Sequence, residues 1–330
     1  MTTFLKRRPL VLRGLAAAAV LAAGLTGSPL ALAQTKLVAV TSIVEHPALN
    51  AVRDGVKEAL EAAGYKEGQN LRWEFQSAQG NPGTAASIAR KFIGDKADVI
   101  VAIATPSAQA VVAATRSIPV VFSAVTDPVG AQLVKSMGPN GGNVTGVSDV
   151  LPLQPQVDLI LKVAPHARRV GMVYNPGEAN SVAVVNGLKA LLAARGMELV
   201  ESTAPRTVDI TAAARNLVGK VDVIYTNTDN NVVSAYEALV KVGNDAKVPL
   251  VASDTDSVKR GAIAALGVDY KELGRETGRQ VARILKGEKP GSIPVYTSVN
   301  LQLFVNPAAA KAQGVRLGEA FIQSATQVIQ

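Results

Sequence analysis

The sequence predicts an α/β protein made of two similar, doubly wound parallel-sheet lobes joined by a multi-strand hinge. Three observations carry this. Short continuous apolar runs, the pattern of parallel strands covered on both faces, alternate with segments of helical periodicity. The same series is written again about 130 residues later. Elements are then left over that need sheets to join, and if each returns to a different lobe the chain crosses between lobes three times.

The first series opens with a strand over Lys36 to Thr41 (KLVAVT). A helix over Pro47 to Ala63 comes next, in which Leu49, Val52, Val56, Leu60 and Ala63 recur at helical spacing. Leu71 to Phe75, Val99 to Ile103 and Val120 to Phe122 read as further strands, separated by helices near Thr84 to Ile93 and Ser107 to Thr115. Such a β-α-β-α order gives an open parallel sheet. The restart is close to literal. RRVGMVYNPGEANSVAVVNGLKALLAARGMEL from Arg168 echoes TKLVAVTSIVEHPALNAVRDGVKEALEAAGYKE from Thr35. AARNLVGKVDVIYTNTDNN from Ala213 echoes IARKFIGDKADVIVAIATPSA from Ile88, and VPLVASDTD from Val248 echoes IPVVFSAVTD from Ile118. The Gly/Asn/Pro-rich stretch Pro139 to Pro152, with a short strand over Val144 to Val147, reads as the lobe boundary. Tyr270 to Lys286 reads as a helix stopped by Gly287 and Pro290, and Ser298 to Val305 as a last strand. The expected division is therefore 34–148 with 263–290 for the first lobe and 149–262 with 291–330 for the second.

Residues 1–33 carry Lys6, Arg7, Arg8 and Arg13 ahead of an Ala/Leu-rich run that closes in Ala31-Leu32-Ala33, the pattern of a cleavable secretory signal peptide. A membrane anchor fits less well, because Gly24, Thr26, Gly27, Ser28 and Pro29 interrupt the run. Those four basic residues account for half of the net charge of +8, which falls to +4 without them. The remainder has no Lys/Arg run and one Trp, which argues against a nucleic-acid surface. Zero cysteines exclude a disulfide scaffold, a cysteine metal site and a lipid-modified cysteine. A periplasmic protein, not membrane-embedded once mature, is the expectation. The mature length of about 297 residues suits two domains.

In open parallel sheets, ligands bind beyond the carboxyl ends of the strands, where helix N-termini also point. Those junctions are Ser42 to Pro47 (SIVEHP), Thr105 to Ala108 (TPSA) and Thr126 to Pro128 (TDP) in the first lobe. Their counterparts are Asn175 to Ser181 (NPGEANS), Asn227 to Asn231 (NTDNN) and Ser253 to Ser257 (SDTDS). All six are polar, and none contains Lys, Arg or an aromatic residue. Ser, Thr, Asp and Asn at such places cap helices, each typically contributing about 1 kcal/mol. Capping uses one residue per junction, and clusters such as Asp229-Asn230-Asn231 or Asp254-Thr255-Asp256 leave a surplus. Glu45, Asp127, Glu178, Asp229, Asp254 and Asp256 offer carboxylates to a cation, and the helix start near Ser107 offers N–H groups and the positive end of a dipole to an anion. A small zwitterion matches both. His46 could cap, pack or contact the ligand.

Catalytic motifs are missing: there is no nucleophile elbow, phosphate loop, zinc-protease pair or strand-linked G-x-G-x-x-G. With two histidines and no cysteine, no metal cluster is expected. No cofactor is expected either, and the chain reads as a binding protein rather than an enzyme.

The segments SIVEHPALNAVRDGVKEALEAAGY, IATPSAQAVV, VFSAVTDPVGAQLVKS, GGNVTGVSD, VYNPGEANS, TNTDNNVVSA and GVDYKELGRETG, in this order, resemble the ABC transporter substrate-binding proteins of the tryptophan-binding-protein-like group. The resemblance covers nearly all of the mature chain. It implies a type I periplasmic binding fold, a ligand in the inter-lobe cleft, delivery to ABC permease subunits, and an aromatic or other hydrophobic amino acid as ligand. Carried onto this sequence, the favoured contacts are Ser42, Glu45, Thr105, Ser107, Thr126 and Asp127 from the first lobe, with Asn175, Ser181, Asn227, Asp229 and Asp254 from the second. His46, Ala108, Glu178, Asn180, Asn230 and Thr255 complete the candidate set. Two other classes share these features: a ligand sensor serving a membrane receptor, and an enzyme acting on the cleft ligand.

Overall fold

In the computed structural model, which describes residues 35–330, the first series runs β1 (Lys36–Ser42), α1 (Pro47–Ala62), β2 (Leu71–Ser77), α2 (Pro82–Gly94), β3 (Val99–Ile103), α3 (Thr105–Ala114), β4 (Val120–Val125) and β5 (Val144–Ser148). The expected signal peptide lies outside the described residues. The second series runs α4 (Leu153–Val163), β6 (Arg169–Tyr174), α5 (Ala179–Ala193), β7 (Glu198–Thr203), α6 (Ile210–Leu217), β8 (Val223–Thr226), α7 (Asn230–Ser234), α8 (Tyr236–Ala246), β9 (Leu250–Ala252), α9 (Thr255–Lys259) and β10 (Ala264–Gly267). The remaining elements are α10 (Tyr270–Leu285), β11 (Tyr296–Thr297), β12 (Gln302–Val305), α11 (Pro307–Ala312), α12 (Glu319–Gln323) and β13 (Gln327–Val328).

The strands form two sheets, β11-β5-β4-β3-β1-β2 and β13-β12-β10-β9-β8-β6-β7. The sequence repeat is thus a repeat of topology, since β2-β1-β3-β4-β5 and β7-β6-β8-β9-β10 are the same order. All pairings in the first sheet are parallel, and β10 with β12 is the antiparallel pair of the second. Parallel strands must be apolar on both faces because helices cover both. Accordingly Val38, Val40, Ile100 and Phe122 are fully buried in one lobe, and Met172, Ile224, Tyr225 and Leu250 in the other.

The chain crosses between sheets three times, at 149–152, 268–269 and 298–301. These crossings correct the expected division in two places. β10 pairs with β9 and β12, so the second lobe continues through Gly267 rather than stopping at 262. β11 pairs with β5, so the first lobe keeps the chain through Thr297 rather than releasing it at 290. The last strand is correspondingly shorter than Ser298 to Val305, beginning at Gln302.

Two local features place the first-lobe side of the gap. Helices α1 and α10 cross in close contact through glycines: a Cβ on Gly274 would stand 2.1 Å from the Val52 carbonyl oxygen, and one on Gly55 2.2 Å from that of Lys271. This fixes the starts of both helices, where His46 and Tyr270 sit. Near the end of β4 the register with β5 slips between Phe122 and Val125, and Ala124 takes φ 54°. Such a bulge bends a strand and re-aims the residues beyond it, here Thr126. Among the described residues, no helix is long and apolar enough to cross a membrane.

Candidate functional site

The carboxyl ends of the two sheets face each other and enclose two adjoining cavities, which share Thr126, Asp149 and Thr228 in their walls. The smaller, about 10 Å³, has room for a single water-sized group. His46, Leu49, Thr105 and Tyr270 line it from one side, and Asn180, Asn230, Val233 and Asp254 from the other. The larger, about 340 Å³, is walled mainly by Pro128, Val129, Met137, Val150, Leu151, Leu153 and Val184. Asp127, Tyr225, Asn227 and Ser253 add its polar spots.

His46 is the N-cap of α1, and its Nδ1 accepts the Leu49 N–H at 3.5 Å, which leaves the ring proton on Nε2. Burial, and then the charge of Arg260 across the gap, push its pKa down to about 3, so the imidazole is a neutral donor. Thr105 opens α3 after Ala104, which holds φ 70° and ψ 155°. That conformation is close to glycine-only and costs on the order of 1–3 kcal/mol, the kind of strain that clusters at binding sites. Both the Thr105 and the Ser107 hydroxyls are buried without a hydrogen-bond partner. Buried polar groups in folded proteins are nearly always paired, and of these two hydroxyls that of Thr105 belongs to the wall of the small cavity, where a ligand could pair with it.

Two carboxyl groups face the small cavity. Asp254 caps α9, its Oδ1 accepting the Ser257 N–H at 2.9 Å and its Oδ2 the Ser257 hydroxyl at 2.6 Å. Asp149 lies on the first crossing, with Oδ1 accepting from the Thr126 hydroxyl at 3.1 Å and Oδ2 from the Tyr270 hydroxyl at 3.0 Å. Burial raises the pKa of both, against the opposing pull of these hydrogen bonds. Among the described residues, no lysine or arginine forms an ion pair with either. Neutral donors leave a buried carboxylate short of compensation, which an ammonium in the adjoining hole would supply.

The other second-lobe acids are committed elsewhere. Asp229 was expected to face a ligand, yet its oxygens accept the Asn175 N–H at 2.7 Å, the Ser181 hydroxyl at 2.7 Å and the Val232 N–H at 3.0 Å. Glu178 accepts the Asn230 N–H at 3.1 Å and the Asn180 amide at 3.2 Å. Burial first, and neighbouring Asp229 second, lift its pKa to about 8. Glu178 holds Asn180 and Asn230 against the small cavity from behind.

Of the sequence-derived candidates, the structure brings His46, Thr105, Thr126, Asp127, Asn180, Asn227, Asn230 and Asp254 to the cavities. It does not bring Ser42, Glu45, Ser107, Ala108, Asn175, Glu178, Ser181, Asp229 or Thr255 to their walls. Ser42 spends its hydroxyl on the Val44 carbonyl, and Glu45 is exposed beside Gln79 and Arg53. Asn175 turns its side chain onto the Gly177 N–H. Ala108 and Thr255 are buried within the first turns of their helices. Asp149, Tyr225, Ser253 and Tyr270 line the cavities without being among the candidates. The signal for Asp149 was available as the lone acid in the boundary stretch NVTGVSDV.

The profile of the ABC transporter substrate binding protein family matches residues 37–329. A tyrosine-binding protein of Clostridioides difficile (strain R20291) is 42% identical over 277 residues, 84% of this chain and 80% of that protein. The ABC domain in complex with L-Trp from Streptococcus pneumonia superposes with a TM-score of 0.86 at 33% identity, over 90% of this chain and 100% of that one. A ligand-free, open substrate binding protein with adhesive properties from Clostridium difficile is more similar in sequence, at 38% identity over 90% of this chain and 99% of that one, yet its TM-score is 0.67. The chain thus superposes more closely on the L-Trp complex than on the open, ligand-free chain. With the repeated sheet order, the three crossings and a family match from residue 37 to residue 329, the chain belongs to the ABC transporter substrate binding protein family and has the type I periplasmic binding fold.

Proposed function

We propose that this protein captures an aromatic α-amino acid between its lobes and delivers it to an ABC permease from the periplasm. The observation that carries the reading is a water-sized hole between the lobes, lined by two buried carboxyl groups that form no ion pair among the described residues, adjoining an apolar chamber of about 340 Å³. An ammonium matches the hole in size and charge, with Asp149 and Asp254 as its partners. The ligand carboxylate meets the Thr105 hydroxyl and the Nε2–H of His46 on the first-lobe wall. The side chain then extends into the chamber, whose volume and lining suit a ring. Two of the three named relatives bind amino acids of this kind, L-Trp in one and, by its name, tyrosine in the other.

Ligand contact with both lobes at once exists only in the closed form, so binding favours closure by the difference in affinity between the two forms. Permease delivery rests on the family to which the chain belongs. The test is mass spectrometry of ligand released on denaturing the purified protein, followed by calorimetry with tyrosine, tryptophan, phenylalanine, leucine and lysine. Binding of aromatic amino acids with dissociation constants near micromolar, about 8 kcal/mol, is expected. Absence of binding to any of the three aromatic amino acids would overturn the reading, and normal uptake of the identified ligand in a deletion strain would overturn permease delivery.

A further inference from the structure

Resting on the reading that an aromatic amino acid occupies the chamber, we infer that Asn227 selects side chains whose far end carries a hydrogen-bond donor, a phenol hydroxyl or an indole N–H, and rejects a bare phenyl ring. Asn227 Oδ1 is buried in the chamber wall and has no hydrogen-bond partner among the described residues. Its orientation is fixed from behind. Asn227 Nδ2 donates to the Ser181 hydroxyl at 3.1 Å, and that hydroxyl donates its own proton to Asp229 Oδ2 at 2.7 Å. Asp229 is held in turn by the Asn175 and Val232 N–H groups. Turning the amide over would set Asn227 Oδ1 against an oxygen whose proton is already given away. The relay therefore leaves the acceptor, and not the donor, of this wall amide without a partner.

Ser253 strengthens the same point of the wall. Its hydroxyl is buried, lines the chamber beside the Tyr225 hydroxyl, and makes no bond of good geometry. An indole N–H or a phenol hydroxyl gives Asn227 Oδ1 a donor, and the phenol oxygen can also accept from Ser253, whereas phenylalanine leaves both groups unpaired. Such an unpaired group typically weakens binding by about tenfold or more. Ser181 and Asp229 are positioning residues here: they touch no ligand and fix which end of the Asn227 amide does.

The experiment is calorimetry on the full-length mature protein with tyrosine, tryptophan, phenylalanine and 4-fluorophenylalanine, the last close to tyrosine in size but without a donor. The expected result is that tyrosine and tryptophan bind at least about tenfold more tightly than the other two. In Asn227→Ala that preference collapses toward unity through weaker tyrosine and tryptophan binding, with phenylalanine changed less than about twofold. Should Asn227→Ala fail to fold, Ser181→Ala, which frees the amide to turn over, is expected to lower the tyrosine-to-phenylalanine ratio as well. Equal affinity for tyrosine and 4-fluorophenylalanine in the unaltered protein, or a ratio that survives in the folded variant, overturns the inference while leaving aromatic binding intact. Failure to bind any of the four overturns the underlying reading instead.

Discussion

The Tyr270 hydroxyl donates to Asp149 Oδ2 at 3.0 Å, a bond between residues 121 positions apart that ties the second inter-lobe crossing to the first. Asp149 is thus a group of the hinge and a wall of both cavities at once. Asp149→Asn keeps the shape and removes the charge. Affinity for the proposed aromatic ligand is expected to fall roughly ten- to hundredfold, about 1.5–3 kcal/mol for a charged hydrogen bond. Binding of the deaminated analogue 3-(4-hydroxyphenyl)propionate should not weaken. Calorimetry on both compounds checks this, and equal losses would place the effect in the fold rather than at the ammonium.

Glu178 makes stability fall with rising pH. Its folded pKa of about 8 stands above the ordinary 4.5, chiefly through burial and secondly through Asp229. Between those values the folded chain keeps a proton that the unfolded chain has released. The contribution is therefore complete below about pH 4.5 and lost as pH rises through about 8. Relative to Glu178→Gln, which mimics the protonated group, the unaltered protein should lose on the order of a few kcal/mol between pH 5 and 8.5. Urea denaturation at several pH values measures the difference, and parallel profiles would remove Glu178 as its source.

Gly274 and Gly55 let α1 and α10 approach to backbone contact. A methyl at 274 would meet the Val52 carbonyl oxygen at 2.1 Å, so the helices must separate. Gly274→Ala is expected to destabilise the protein by about 1–3 kcal/mol, the usual cost of overpacking, despite the higher helix propensity of alanine. Thermal or urea denaturation reads this directly, and an unchanged midpoint would mean that the helices can part without cost.

Ala104 offers the opposite sign. Its φ of 70° and ψ of 155° suit glycine, and the strain of roughly 1–3 kcal/mol exceeds the roughly 0.5–1 kcal/mol of chain entropy that glycine adds to the unfolded state. Ala104→Gly should raise stability by about 1 kcal/mol. A lowered denaturation midpoint would show that the carbonyl and N–H directions at this junction are not strained.

Much of the architecture was legible because parallel strands are apolar on both faces and the repeat is written in the chain. The lobe exchange was misplaced at 262 and 290 because Ala264–Gly267 and Tyr296–Thr297 are short strands whose partners are set by tertiary pairing alone. Asp254, Thr105 and His46, which line the small cavity, were legible as candidates because they stand at strand ends. Asp229 and Glu178 stand there too, yet face backwards onto N–H and amide groups. A one-dimensional pattern cannot separate a carboxylate that supports a wall from one that forms it. Asp149 was overlooked because it lies in a segment that reads as linker, and Met137, Val150 and Leu151 because apolar residues beside a boundary carry no chemistry of their own.

The glycine-lined seam between α1 and α10 also sets an order of assembly. Although the strands of the first lobe are synthesised first, the helix that covers them comes only with residues 270–285. Emerging N-terminal chain therefore cannot finish its own half until almost the whole polypeptide has appeared, whereas the strands β6 to β10 of the other half succeed one another without interruption. Neither half can close early: the first waits for α10 and β11, and the second for β12 and β13 at the far end of the chain.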